Sequence, residues 1–247
     1  MDNKTHLICG DCLEIMPMIT DKSVDLILCD LPYGITSMDW DSQLPLNKLW
    51  EQYERIIKDD GNIVLFSSGN FTIDLINSNR NLYKYKLIWK KNTPTGMNFA
   101  KVRPMKYYEE ICIFNKGHAI YNPIMKPREN KAKHSYNYMH SASNGNHTFN
   151  KNVKYKYHPD WVQPSDILEF NTVSNRKGKL HPTQKPVDLC EWLIKTYSNE
   201  GGVVLDNCMG SGTTGIACFN TNRKFVGIEL DKDYFNIAKE RLNIDNG

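Results

Sequence analysis

Gly210, Gly212 and Gly215 form a G-x-G-x-x-G turn between an apolar strand, Val203-Val204-Leu205, and a helix predicted to run to about Asn220. The next strand, Lys224 to Ile228, ends at acidic Glu229. A strand–turn–helix–strand unit of this kind belongs in a parallel sheet. It brings backbone N–H groups and a ribose-binding carboxylate to one crevice at the strand ends. On these residues alone the turn also fits a nicotinamide or flavin dinucleotide. Chain order argues against that. After Glu229 there is room for one helix, predicted over Tyr234 to Leu242, whereas a dinucleotide fold continues through several more strands. The N-terminal half is therefore expected to complete the sheet, with Leu7–Cys9 beside Phe225–Ile228. Asp11, Asp206, Glu229 and Asp30 would then share one rim. Four carboxylates there suit a nucleoside with a positive centre better than a pyrophosphate.

Asp30 follows a second buried-strand pattern, Val24 to Cys29, which Pro32 and Gly34 terminate. The turn Asp30-Leu31-Pro32-Tyr33 sets a carboxylate, a rigid carbonyl and an aromatic ring at a strand's C-terminal end. That trio suits a flat ring bearing an amine: Asp30 and the Leu31 carbonyl accept, and Tyr33 stacks. A plain N-capping turn accounts for the same residues equally well. Between the two motifs the spacing predicts helices over Cys12–Ile19, Leu46–Lys58, Phe71–Asn77 and Val187–Ser198. It predicts strands at Ile63–Phe66, Tyr85–Trp89 and Glu110–Phe114, the last two joined by a long loop rich in Pro, Asn and Lys.

Periodicity fades from about Gly117 to Leu180. From Lys116 to His181 eleven basic residues face four acidic ones, although the whole chain carries only +3. Aromatics such as Tyr136, Tyr155 and Trp161 are interleaved with them, which points to a polyanion bound by an insertion. No apolar run reaches the ~18 residues of a membrane span, and no signal-peptide pattern opens the sequence, so a cytoplasmic protein with no membrane partner is expected. Seven cysteines, an odd count, read as reduced structural thiols, with Cys9, Cys29 and Cys112 in apolar strand patterns; no metal site is expected.

Asp30-Leu31-Pro32-Tyr33 resembles the Asp-Pro-Pro-Tyr motif of amino-group DNA methyltransferases. Asp206 to Thr214 resembles their S-adenosylmethionine (SAM) motif, Asp-Pro-Phe-x-Gly-Ser-Gly-Thr-Thr, and His181-Pro182-Thr183-Gln184-Lys185-Pro186 is similar to a motif found just upstream of it. The order of catalytic motif, insertion and cofactor motif resembles the β class. The resemblance implies an α/β, Rossmann-like fold, circularly permuted: a seven-stranded, mostly parallel sheet with an antiparallel C-terminal hairpin strand. It implies a catalytic half over 1–116, a target-recognition insertion over 117–180 and a SAM-binding half over 181–247.

By the same resemblance Asp30, Leu31, Pro32 and Tyr33 hold the target base. Asp11, Asp30, Thr183, Lys185, Asp206, Asn207, Cys208, Gly210, Ser211, Gly212, Thr213, Thr214, Glu229 and Leu230 line the cofactor site. Lys126, Arg128, Lys131, Lys133, Lys151, Lys154, Lys156, Arg176, Lys177 and Lys179 meet double-stranded DNA. The implied reaction is methylation of a flipped-out base in a restriction-modification context. Aspartate first in the tetrapeptide resembles adenine-N6 enzymes more than cytosine-N4 ones. A cytosine-N4 enzyme, a catalytically silent DNA-binding protein and a homodimer remain open. The chain departs from the pattern at Leu31, where the family has proline, and at Asn207-Cys208, where it has Pro-Phe. Loss of the phenyl ring is expected to enlarge the pocket near the methyl donor.

Overall fold

A computed structural model describes residues 5–34, 43–128, 160–173 and 184–244. The chain forms two compact units, Met1–Asn122 with Ser165–Gly247, and Pro123–Pro164.

The larger unit is built on one eight-stranded sheet of order β1-β10-β9-β2-β3-β5-β4-β8. The strands are β1 (Thr5–Cys9), β2 (Val24–Cys29), β3 (Ile57–Ser67), β4 (Tyr83–Thr95), β5 (Lys106–Phe114), β8 (Ile167–Glu169), β9 (Val203–Asp206) and β10 (Lys224–Glu229). β1 pairs in parallel with β10, with Leu7 opposite Gly227 and Cys9 opposite Glu229. The two ends of the chain thus share a sheet. Only β5 runs against its neighbours, β3 and β4.

Helices cover both faces, and the two-residue period of the strands decides which side chain meets which helix. Ile27, Cys29, Ile63 and Leu65 point to a core shared with α1 (Cys12–Ile15), α2 (Leu46–Ile56) and α3 (Asn70–Ser78). Leu26, Leu28, Val64 and Phe66, one step out of phase, point to the opposite core with α4 (Val187–Tyr197), α5 (Thr213–Asn220) and α6 (Lys232–Arg241). A strand buried on both sides has no polar face to show, which is why residues 26–29 of β2 and 63–66 of β3 read as unbroken apolar runs.

Several expectations are corrected. The sheet has eight strands, not seven, because Ile167–Glu169, inside the segment expected to lack regular structure, pairs with Ile88–Lys90 at the edge. The antiparallel strand is β5, in a hairpin with β4 in the first half of the chain, not near its end. The Pro-, Asn- and Lys-rich loop expected between Trp89 and Glu110 is shorter, covering 96–105, because β5 starts at Lys106 and β4 runs to Thr95. The β4 lysines alternate with buried Leu87, Trp89 and Lys91 on a strand whose partners supply the pattern that composition hides. β3 begins at Ile57 and passes through Asp59-Asp60-Gly61, expected as a helix stop. The first helix breaks after Ile15 into a single 3₁₀ turn at Met16–Met18, where Pro17 supplies no N–H. Cys9 is exposed because β1 is an edge strand, while Cys29 and Cys112 are buried, and all seven thiols are free.

In the smaller unit β6 (Lys126–Pro127) pairs antiparallel with β7 (Trp161–Val162), and the Arg128 N–H donates to the Asp160 carbonyl at 2.9 Å. Lys131, Lys133, Lys151, Lys154, Lys156, Arg176, Lys177, Lys179 and Thr183 lie outside the described residues. Among the described residues no helix is long and apolar enough to cross a membrane, and no cluster of side chains could hold a metal ion.

Candidate active site

From β9 the chain continues outward to β10, while β2, on the other side of β9, leads outward to β3. Strand order therefore reverses between β9 and β2. Crevices open at the carboxyl ends of such strands. Reading across the sheet, the ends of β1, β10, β9 and β2 carry Asp11, Glu229 with Leu230, Asp206 and Asp30 in that order. The four carboxylates stand on four adjacent strand ends, as the chain order suggested.

Asp30 Oδ1 accepts from the Tyr33 hydroxyl at 2.8 Å. Oδ2 accepts a short charge-assisted bond from Lys185 Nζ. The Tyr33 ring stacks on Phe71, 4.9 Å between centroids and 26° between planes. Leu31, in place of the usual proline, turns its side chain into the core. Lys185 lies just ahead of Pro186, which caps α4; its ammonium sits 5.1 Å over the Phe66 ring and 3.4 Å from Glu109 Oε2. Glu109 Oε1 in turn accepts from buried Lys91 at 3.0 Å. Lys91, Glu109, Lys185 and Asp30 thus form an alternating chain of four charges. Burial pushes the Asp30 carboxyl up, against the pull of Lys185. Burial would lower Lys185, but Asp30 and Glu109 outweigh it and hold the ammonium above its ordinary value. Burial also works against Glu109 ionisation, yet Lys185 and Lys91 leave its carboxyl below the usual range. Lys185 and Glu109 are thus favoured in their charged forms, while burial opposes ionisation of Asp30. Sequence reading found neither Glu109 nor Lys91. The available signal was Glu109-Glu110, a carboxylate pair directly before the apolar run Ile111–Phe114.

The glycine turn is fastened by its neighbours. Gly210 and Gly212 adopt φ of 51° and 78°, a region that costs other residues energy. The Gly210 N–H donates to Glu229 Oε2 at 2.7 Å, and Oε1 accepts from Asp231 N at 2.9 Å. Arg241, missed from sequence, reaches back from α6 to the Ser211 carbonyl and hydroxyl. Thr214 Oγ1 donates to Asp206 Oδ2 at 2.6 Å. The Asn207 side chain accepts from the buried Tyr53 hydroxyl and lies against the Cys12 and Cys208 thiols. Asn207, which stands where the family has proline, is thus held within the core by these contacts. Asp11 Oδ1 caps α1 through Leu13 N at 2.8 Å. At Gly215 a Cβ would stand 2.8 Å from both Leu242 Cδ1 and Phe225 Cε1. Gly215→Ala should therefore cost about 1–3 kcal/mol by overpacking, readable as a lower midpoint in urea.

The Asp206 carboxyl is pushed up to about 7 by burial, with the Thr214 hydroxyl and Cys208 N–H opposing. Between its ordinary value of 3.8 and about 7 the folded chain holds a proton that the unfolded chain releases. Stability from this group therefore falls as pH rises through that window. The melting temperature of Asp206→Asn minus that of the wild type should increase from pH 4 to pH 7 and level off above. A flat difference would place the ionised carboxylate at no cost in the fold.

A mainly parallel α/β sheet with four carboxylates on adjacent strand ends at its switch point, and Tyr33 bonded to one of them, is an arrangement that suits an enzyme using a nucleoside cofactor. Comparison with known proteins makes this specific. Residues 24–240 match the N6/N4 methyltransferase family described as DNA methylase, and the chain belongs to that family. It is 29% identical to the type II methyltransferase M.HpaI of Haemophilus parainfluenzae, over 96% of this chain and 74% of that protein. It is 28% identical to the DNA adenine methyltransferase YhdJ of Escherichia coli strain K12, over 96% and 82% respectively. The crystal structure of an M1.HpyAVI–SAM complex superposes with a TM-score of 0.67 at 28% identity, covering 97% of this chain and all of that one. The chain is thus a DNA methyltransferase of the amino-group type.

Proposed function

We propose that this protein transfers a methyl group from SAM to the exocyclic N6 of adenine in double-stranded DNA, after rotating the base out of the helix. The observation that carries this reading is Asp30, a carboxyl acceptor held by Tyr33 and Lys185 at the end of β2. Aspartate in the first position of the tetrapeptide and the similarity to a DNA adenine methyltransferase favour adenine over cytosine. The permuted order of motifs is part of the same proposal, as is the target-recognition role of the segment 117–180. Lys126 and Arg128, with the basic residues outside the described part, would meet phosphates there.

The residues present fit the cofactor. Glu229 keeps its carboxylate at the strand end, where it has lone pairs left for ribose hydroxyls after its two backbone bonds. Leu230 is exposed beside it, an apolar surface for a purine. The Gly210–Thr214 turn brings backbone close to the crevice, and Asp11 lies on the adjacent strand end. When bound, SAM supplies an electrophilic methyl on a sulfonium.

The chain's own part is alignment. Asp30 and the Leu31 carbonyl accept hydrogen bonds from the target amine and draw its lone pair out of conjugation with the ring. Tyr33 covers the face of the base. The amine nitrogen gains the methyl, and one of its protons then leaves to solvent. Placement and fixed charge supply the acceleration, and no cysteine nucleophile is needed.

The test is direct: incubate unmethylated genomic DNA with methyl-labelled SAM and the protein, digest to nucleosides and separate them. N6-methyldeoxyadenosine is expected. N4-methyldeoxycytidine would overturn the choice of base, and an unlabelled digest would leave a DNA-binding protein without catalysis.

A further inference from the structure

The hairpin between β4 and β5 carries five cations, Lys90, Lys91, Lys101, Arg103 and Lys106, and no carboxylate from residue 90 to residue 108. Lys91 is committed to Glu109 and Lys90 to Glu169. Lys101, Arg103 and Lys106 form no ion pair among the described residues. Beside them, Met97, Phe99 and Val102 are 71%, 51% and 80% exposed, and Tyr107 and Tyr108 are also largely open. Apolar side chains left in water next to unpaired cations point to a surface that is covered in use.

Local geometry holds this surface together. Gly96, at φ 90°, reverses the chain into a one-turn 3₁₀ helix, Met97–Phe99. The Arg103 guanidinium lies 4.6 Å from the Phe99 ring centroid and Lys106 Nζ 5.1 Å from that of Tyr108. Two of the three cations, Arg103 and Lys106, thus lie against an aromatic ring. That alternation of phosphate-seeking charge and flat apolar rings matches what a nucleic acid presents.

Strand register fixes where the tip points. Ser67, at the C-terminal end of β3, lies opposite Glu110, and Trp89 lies opposite Glu109. Lys106 is three residues beyond Glu109, about 10 Å along the strand, and Lys106 Nζ donates to Ser68 at 2.6 Å. Since Glu109 faces Lys185 and Lys185 bonds Asp30, the hairpin rises from the same rim as the target-base pocket.

We infer that the tip of this hairpin, Gly96 to Lys106, is a docking surface for the DNA duplex: Lys101, Arg103 and Lys106 take backbone phosphates, and Met97, Phe99 and Val102 meet sugar and base faces beside the target nucleotide. The inference rests on the methyltransferase reading and adds a DNA contact outside the 117–180 segment. The tip has the charge for a polyanion and stands at the edge of the pocket that must receive a base. A second copy of this chain would meet the same positive charge and be repelled.

The experiment compares the full-length wild type with Lys101→Ala/Arg103→Ala. Binding to an unmethylated duplex is followed by fluorescence anisotropy across a salt series, and SAM binding by equilibrium dialysis. In the variant the DNA dissociation constant should rise at least tenfold at about 0.1 M salt. The slope of log K against log salt should shrink by about 2, one unit for each lost phosphate contact. SAM affinity should stay within twofold. Both side chains lie in the exposed tip, so folding is not at stake, and unchanged melting temperature checks this. Equal DNA affinity and slope in variant and wild type would overturn the docking surface and leave the methyltransferase reading standing. A wild type that binds no duplex would overturn both. Tighter binding of single-stranded RNA than of duplex DNA would overturn the assignment to a duplex.

Discussion

Asp30→Asn should lower the rate of methyl transfer about 10²- to 10³-fold, the scale on which a single preorganised polar contact acts in an active site. The substitution keeps the size of the side chain but puts an N–H₂ donor where one acceptor oxygen stood. One oxygen remains for the Tyr33 hydroxyl, now bonded at 2.8 Å. The Lys185 ammonium is then left with Glu109 as its one carboxylate neighbour of the two it has. The target amine meets a donor in place of an anion, so its lone pair stays in the ring. Single-turnover transfer to unmethylated DNA, measured beside SAM binding by dialysis, separates this from a failure to load the cofactor. A variant that transfers within threefold of the wild type would remove Asp30 from the chemistry.

Glu109→Gln should show the largest loss of stability of any single neutralisation in the site, about 3–5 kcal/mol, the cost of removing one partner from a buried ion pair. Lys91 is nearly inaccessible to water and has Glu109 as its carboxylate partner at 3.0 Å. Without that charge a buried ammonium is left facing a neutral amide. For a chain of this size the melting temperature should fall by about 6–20 °C. Because the Glu109 carboxyl is held below its ordinary value of 4.5, its contribution is present above that pH and disappears as pH falls through the lowered value. The gap between variant and wild type should therefore be full at pH 7 and narrow in acid. Adding Lys91→Met to Glu109→Gln removes the stranded charge, so the double variant should recover part of the loss. A double variant less stable than Glu109→Gln would show that the pair is not the origin of the effect.

Local chemistry made much of the site legible. Gly210, Gly212 and Gly215 announce a turn because only a residue without Cβ accepts that backbone or that proximity to Phe225 and Leu242. Asp30 and Tyr33 stand out because they follow an apolar strand that Pro32 and Gly34 terminate. Even the pairing of β1 with β10 followed from counting how many strands could come after Glu229. Other features were hidden for physical reasons. Lys91 and Glu109 look like surface residues by composition, and only the meeting of β4, β5 and the segment before α4 pairs them inside the protein. Lys185 was expected to line the cofactor site, and its engagement with Asp30 depends on how the start of α4 lies over β2. Arg241 belongs to an ordinary last turn of a helix until α6 folds over the glycine loop. The β4–β5 hairpin reads as a loop because its outward lysines mask the strand period.

The amino-acid order alone thus determined the mainly parallel class of sheet and the ends of β2, β9 and β10 that carry Asp30, Asp206 and Glu229, since these depend on backbone freedom and short-range patterning. What only the tertiary structure decided is which charges neutralise one another and which cations stay open to a partner. Coulomb interactions act between groups far apart in sequence, and their strength is set by burial, which comes into being only when the two halves of the chain close on one sheet.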